Sequence, residues 1–288
     1  MSTPGTLQRW ILAARPRTLP AAVVPVALGA SLVRPLSLNV VNTVLCVVVA
    51  LALQIATNYA NDYSDGVRGT DEVRVGPFRL TASRLVPARH VRNAAFGMFG
   101  VAGVAGLVLA SRTSWWFVAI GITAVFAGWF YTGGKHPYGY YGFGELFVMA
   151  YFGFVATVGT AYAQHLTIPG QAWWWGLGAG SMACALLEAN NLRDINGDQA
   201  SGKKTLAARL GRRRASWLYG AFVAGVVVGA LGARQPLVAI VAWIIYVTPL
   251  RTAFSPKEGR DLLPLLQQSA RTQLVVGAFA VVTLWLWH

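Results

Sequence analysis

Nine times along this chain a run of mostly apolar residues recurs, near residues 18–34, 38–60, 90–110, 114–131, 144–165, 171–189, 215–232, 236–253 and 270–287. A helix of about 20 apolar residues spans the hydrocarbon core of a bilayer. Lipid offers no partner to a backbone N–H or C=O, so each run must satisfy its own backbone as a helix. The fold these runs predict is all-α: a polytopic membrane protein with nine transmembrane helices around a central cavity opening to the cytoplasmic side. The organisation expected is a single integral membrane domain over residues 1–288. Composition agrees, with 12% charged residues where soluble domains carry about 25%.

The net charge of +14 would suggest a nucleic-acid partner in a soluble protein. Here the bases instead follow the alternation of loops. All but Arg34, Arg112 and Arg234 of the 24 Lys and Arg residues fall at the N-terminus or in the even-numbered connections. The positive-inside rule puts those segments in the cytoplasm, so no nucleic acid is expected. The lipid bilayer is the expected surrounding. An odd number of spans places the N-terminus in the cytoplasm and the C-terminus outside. All ten acidic residues lie in or beside the same cytoplasmic segments, which locates the chemistry. Cys46 and Cys184 both sit inside spans and read as packing residues. The N-terminal segment lacks the pattern of a cleaved secretory signal, so insertion is expected to rely on the first spans.

Two stretches concentrate the polar residues. Residues 58–71 read NYANDYSDGVRGTD, and residues 188–204 read EANNLRDINGDQASGKK. If both continue as helices, Asn61 and Asp65 share a face, as do Asn190, Asp194 and Asp198, because residues four apart stack. Carboxylates gathered at a membrane boundary repel one another and are costly to desolvate, so a cation between the two faces is expected. Magnesium fits: it takes oxygen ligands, keeps waters, and is shared between one or two carboxylates and substrate phosphates. A diphosphate site is the resulting expectation.

Other segments surround this centre. Arg15 and Arg17 precede the first span and serve either topology and lipid headgroups or an anionic substrate. The connection from Val67 to His90 exceeds an ordinary helix–helix link and reads as a lid. Its alternation of Phe78, Leu80, Leu85 and Val86 with Arg79, Arg84 and Arg89 suggests a short amphipathic helix at the membrane surface. Arg68 and Arg74 are its candidates for phosphate, against a solvated or lipid-contacting role. Tyr131 and Lys135 flank the Gly133–Gly134 break, and lysine serves phosphate as a point charge. Glu145 either complements a helix N-terminus or holds Lys135. Lys203 and Lys204 are secondary phosphate candidates. His136 reads as a loop residue, and no histidine metal site is expected.

Taken together, NDYSDGVRGTD, YTGGK and NNLRDINGDQASGKKTLAARLG resemble the UbiA superfamily of intramembrane prenyltransferases. The segments ARPRTLPAAVVPVALGASL, VGPFRLTAS and FGELFVMAYFGFVATVGTAY look like its branch that prenylates 1,4-dihydroxy-2-naphthoate in menaquinone synthesis. The resemblance implies a nine-helix fold and a magnesium ion (Mg2+) binding a polyprenyl diphosphate. It also implies transfer of the polyprenyl group to 1,4-dihydroxy-2-naphthoate with decarboxylation, giving demethylmenaquinone. By position, Asn61, Asp65, Asp194 and Asp198 would gather magnesium, with Asn190 or Asn191 assisting. Lys135, Tyr131 and Arg68 would face the diphosphate or the forming cation. Where the aspartate-rich form of the first motif has an acid, this chain has Gly69, with Asp71 two residues later, as in the naphthoate branch.

Charge development sets the expected mechanism. Bases and magnesium stabilise the diphosphate as its allylic carbon–oxygen bond breaks. Aromatic walls, Tyr131, Tyr59 or Tyr63, shelter the allylic cation. Asp62 or Asp65 deprotonates the acceptor, with Arg17 and Asn58 holding it. Three readings remain open beside this one: the same transfer to another acceptor such as 4-hydroxybenzoate or homogentisate, a secondary transporter, and a diphosphate-binding membrane protein without chemistry. Transporters place their sites near the midplane on broken helices, whereas these acids gather at one interface.

Overall fold

The computed structural model describes residues 5–70 and 79–286, and among them there is no strand. The chain runs through α1 (Thr6–Ala13), α2 (Pro20–Ala30), α3 (Val40–Val67), α4 (Ala88–Arg112) and α5 (Trp116–Phe130). It continues through α6 (Gly144–Val148), a π-helical segment (Met149–Val155), α7 (Ala156–His165), α8 (Gly170–Ala200), α9 (Leu206–Gly232), α10 (Pro236–Ala253) and α11 (Leu263–Leu286). Helix starts follow local chemistry. The Asn39 side chain accepts from the Asn42 N–H at the head of α3, and Thr205 does the same for Ala208 at the head of α9. Pro236 occupies the first turn of α10, where its missing N–H costs nothing.

Six helical stretches are long and apolar enough to cross a membrane: α3, α4, α6 through α7, α9, α10 and residues 259–286. The pair Thr6–Thr18 and Pro20–Ala30, bent by 54°, gives a seventh if taken as one span. Two of the nine apolar runs lie outside this set for different reasons. Helix α5 has only 15 residues. Helix α8 has 31 residues, ample for a crossing at about 1.5 Å per residue, but it lies at the centre of the bundle. Most of its side chains meet protein instead of lipid, so the sequence is free to carry glycine, serine and acids there.

Helix α8 packs along α9 and against the π-helical segment, α2, α7 and α11, while α3 pairs with α4. The α8–α9 contact depends on missing side chains. A Cβ on Gly229 would stand 2.7 Å from the Gly178 Cα, and one on Gly225 would stand 2.3 Å from the Ser181 hydroxyl. On the other flank of α8, a Cβ on Gly153 would come within 2.8 Å of the Gly180 Cα. Small residues let helix backbones approach where no hydrophobic force separates lipid from side chain.

The ends of two helices matter most for the site. Helix α3 continues through Asn61 and Asp65 to Val67, and α8 continues through Asp194 and Asp198 to Ala200. Both polar motifs are therefore helical extensions of apolar runs. The expected surface helix after α3 does not form: among the described residues, 79–87 are turns and coil, with Arg84 left-handed at φ 58°. Leu80 is fully buried there, because the carboxylate of Asp62 draws this segment inward.

The α8–α9 packing predicts that Gly229→Val, which drives a side chain into backbone, lowers stability by about 1–3 kcal/mol. Gly97→Ala on the open face of α4, where a Cβ meets nothing within 4 Å, leaves it equal or higher. Thermal unfolding of both variants in detergent checks the contrast.

Candidate active site

The two helical extensions open onto one cavity of about 1070 Å3. Along α3 its lining runs from Cys46 to Asp65, a stretch of about 28 Å at the α-helical rise. Most of that length is apolar, walled by residues such as Val49, Leu53, Phe117, Val125 and Phe152. One end is polar. There α3 contributes Asn61 and Asp65, α8 contributes Asn190, Asn191, Arg193, Asp194 and Asp198, and the connecting segments contribute Arg79, Tyr140 and Lys203.

Each acid at this end is matched by donors, Asp65 and Asp198 by residues from other segments and Asp194 by its neighbour on α8. The Tyr140 hydroxyl donates to Asp65 Oδ1 at 2.6 Å, and Lys203 Nζ lies 3.1 Å from the same oxygen. Arg79 Nη2 stands 3.6 Å from Asp65 Oδ2. Arg193 grips Asp194 with two bonds, Nε to Oδ1 and Nη2 to Oδ2, both 2.7 Å, and also donates to Asn190 Oδ1 at 2.6 Å. The Thr205 hydroxyl donates to Asp198 at 3.1 Å. Burial, then the charge of Asp65, pushes the Tyr140 hydroxyl above its usual range, so it stays a donor. Lys203 also sits 4.7 Å from the centre of the Tyr140 ring, within the range of a cation–π contact.

The amides are oriented too. Asn61 Oδ1 accepts from the Thr132 hydroxyl at 2.7 Å, and Asn191 donates to Glu145 Oε1 at 2.8 Å. Glu145 thus holds a wall residue of α8, not Lys135. All the cation candidates, Asn61, Asp65, Asn190, Asn191, Asp194 and Asp198, are hard oxygen donors lining one space. Among the described residues no three acidic, histidine or cysteine side chains form a metal-holding cluster. That donor set fits magnesium of the kind that takes few protein carboxylates and completes its shell with water and phosphate oxygens.

Several expected residues stand elsewhere. Asp62 is fully buried behind the cavity lining, and its two oxygens accept the Leu80 and Thr81 N–H groups at 2.8 and 2.9 Å. It pins the turn after α3 and has no path to a substrate proton. Lys135 is exposed and outside the lining, because the chain at Gly134 adopts a left-handed turn. Arg68 is exposed as well, its guanidinium donating to the Thr132 and Gly134 carbonyls and lying 5.5 Å from the Tyr140 ring. Tyr131, Arg17 and Asn58 do line the cavity, as does Lys203. Tyr59 and Tyr63 do not; they pack with Trp10 and Trp129. Arg74 and Asp71 lie outside the described residues.

Sequence reasoning passed over Arg79, Tyr140 and Arg193. Arg193 carried a signal, since it stands three residues after Asn190 and next to Asp194 and its stem shares their helix end. Arg79 and Tyr140 lie in irregular segments whose approach to Asp65 leaves no periodic trace.

An all-helical membrane protein with one long cavity, apolar along its length and charged at one end, is the class that the fold and site define. Residues 22–261 match the UbiA prenyltransferase family, and the chain belongs to that family. It is 43% identical to the 1,4-dihydroxy-2-naphthoate octaprenyltransferase of Mycobacterium tuberculosis over 94% of each chain. Identity to the Escherichia coli enzyme of the same name is 30%, over 94% of this chain and 91% of that one. The fold matches a UbiA homolog from Archaeoglobus fulgidus bound to GPP and Mg2+ with a TM-score of 0.65, at 14% identity over 95% of this chain and 99% of that one.

If Asp62 is a structural anchor, Asp62→Ala leaves the buried Leu80 N–H and the half-buried Thr81 N–H without acceptors and lowers stability by about 2 kcal/mol or more. Trypsin cleavage at Arg79 or Arg84 should accelerate in the same variant. Parent-like stability and cleavage would restore Asp62 as a candidate for chemistry.

Proposed function

We propose that this protein transfers a long polyprenyl group from its diphosphate to 1,4-dihydroxy-2-naphthoate, with loss of carbon dioxide, in the step that leads to demethylmenaquinone. The observation that carries the reading is the shape of the cavity: acids and bases converge at one end of an apolar space about 28 Å long at the α-helical rise. A substrate with a diphosphate head and a hydrocarbon tail has that division of polarity. The names of the relatives at 43% and 30% identity support the acceptor.

Asp65, Asp194 and Asp198, with Asn61, Asn190 and Asn191, would hold magnesium, which when bound neutralises diphosphate charge and favours its departure. Lys203, Arg79 and Arg193 are bound to the motif acids. With magnesium held by those carboxylates, the three bases would be available to the phosphate oxygens. They oppose the negative charge that grows as the allylic carbon–oxygen bond breaks. The Tyr131 ring faces the allylic carbon from the cavity wall and stabilises its positive charge, while the apolar walls exclude water. Arg17 and Asn58 hold the naphthoate. The ring carbon that bears the carboxylate then bonds to the allylic carbon, diphosphate leaves from the allylic carbon and carbon dioxide from the ring carbon, and the product is the quinol form of demethylmenaquinone.

The same reading places the chain in a bacterial inner membrane as one domain of nine crossings, α5 and α8 included, with the N-terminus cytoplasmic and the C-terminus outside. The cavity's charged end then faces the cytoplasm. Three arginines on the opposite side against 21 Lys and Arg residues support that orientation.

Purified protein given magnesium, a long-chain allylic diphosphate and 1,4-dihydroxy-2-naphthoate should yield the decarboxylated prenyl product by mass. Chelation should abolish it, and Asp65→Ala or Asp194→Ala should each reduce turnover by about 100-fold or more. Prenylation of 4-hydroxybenzoate alone would keep the transfer and replace the acceptor.

A further inference from the structure

Beside the charged end, a second group of polar side chains is arranged around one hydroxyl. Thr18 Oγ1 donates its single hydrogen to the Arg15 carbonyl at 2.9 Å. Its two lone pairs accept from Gln54 Nε2 at 3.0 Å and from Asn58 Nδ2 at 3.1 Å. A hydroxyl has one donor and two acceptor sites, so Thr18 is saturated.

That saturation fixes two amides. Asn58 Nδ2 spends its other hydrogen on the Ala14 carbonyl at 2.9 Å, which leaves Asn58 only its carbonyl oxygen for a ligand. Gln54 has its nitrogen turned to Thr18 as well. Among the described residues nothing donates to Gln54 Oε1 or Asn58 Oδ1, and neither oxygen is sealed from accessible space. Both residues line the cavity. They stand four apart on α3, so the two oxygens form an acceptor pair on one helix face. Arg15 and Arg17 line the cavity at the adjoining segment.

We propose that Thr18 is a positioning residue whose hydroxyl locks Gln54 and Asn58 with their oxygens toward the cavity, creating a subsite that selects an aromatic acceptor by its phenolic O–H groups. The proposal rests on the prenyl-transfer reading and deepens it. Acceptor oxygens repel a carboxylate and take hydroxyl donors, while the arginines take the carboxylate. A hydroxy-naphthoate presents both groups on one ring. The diphosphate, which donates nothing, gains nothing from this pair and belongs at the other polar cluster. Removing Thr18's lone pairs frees the Gln54 amide to rotate and offer N–H groups where an O–H group should be received, and leaves Asn58 held by the Ala14 carbonyl alone, a mismatch that binding sites discriminate strongly.

The test compares Thr18→Val, which keeps the shape and removes the hydroxyl, with Thr18→Ser, which restores it. KM is measured for 1,4-dihydroxy-2-naphthoate and for the allylic diphosphate, with equilibrium binding of the naphthoate to magnesium-free protein as a readout free of turnover. Thr18→Val should weaken the naphthoate about tenfold in KM and in binding, the effect of one mispaired hydrogen bond. The diphosphate KM should stay put, and Thr18→Ser should recover most of the loss. Equal weakening of both substrates, or a falling thermal midpoint without a selective change in naphthoate KM, would mean a merely structural tie and overturn the proposal. So would unchanged naphthoate binding. If the parent uses a different aromatic hydroxy acid, the naphthoate reading fails and the same comparison on that acceptor decides the role of Thr18. If the parent prenylates and binds no aromatic acceptor, both fall.

Discussion

Charge buried at the edge of a membrane must be answered by charge or hydrogen bonds from the same chain, and Asp65 shows how much structure that requirement organises. Its carboxylate sits at the end of α3 and is almost wholly buried. Arg79 reaches it from the turn before α4, Tyr140 from the turn before α6, and Lys203 from the turn after α8. Three connections that are distant in sequence are thereby drawn over one helix end. An isolated carboxylate at this depth would be strongly disfavoured. The ordering of the loops is the structural consequence, and the gathering of acids and bases at one end of the cavity is the functional one.

The scaffold behind this end is governed by close backbone approach. Gly178 with Gly229, and Gly153 with Gly180, allow α8 to lie against α9 and the π-helical segment with almost no side chain between them. Such contacts make α8 a fixed column inside the bundle. Its second motif, Asn190 to Asp198, is held in place by that packing and by Arg193 and Glu145. On the other side α3, paired with α4, supplies the facing wall. The apolar space between the two walls has the length of a hydrocarbon chain, and its polar end has the chemistry of a diphosphate. Tail and head are therefore sorted by the same helices, because each of α3 and α8 begins apolar and ends in amides and acids.

A division of labour among the polar side chains also follows. Acids at the cavity end are paired to bases of the same chain, so their charge does not stand uncompensated. The neutral amides about two and three turns deeper than Asp65 on α3 work differently, since their orientation is set by hydrogen-bond counting around Thr18. Asp62, although adjacent to Asn61, belongs to neither group. One residue along a helix turns a side chain by about a quarter turn or more, which points it from the cavity to the loop behind.

The apolar runs, the asymmetry of the bases and the two spaced Asn/Asp motifs were sufficient to predict a helical membrane bundle with its chemistry at one side. They were legible because helix periodicity is local: Asn61 with Asp65, and Asn190 with Asp194 and Asp198, share faces whatever surrounds them. Asp62, Lys135 and Arg68 carried the right chemistry in the right neighbourhood, yet the turn geometry at Gly134 and the pull of the Leu80 and Thr81 N–H groups placed them outside the cavity. Arg79 and Tyr140 entered it from irregular loops with no periodic signature. The helices and the faces their residues share follow from spacing along one chain. Which base meets which acid, and which way each amide is turned in the cavity wall, emerges only from the packed fold, because those pairings join segments up to 138 residues apart and depend on how buried charges and hydrogen bonds are jointly satisfied.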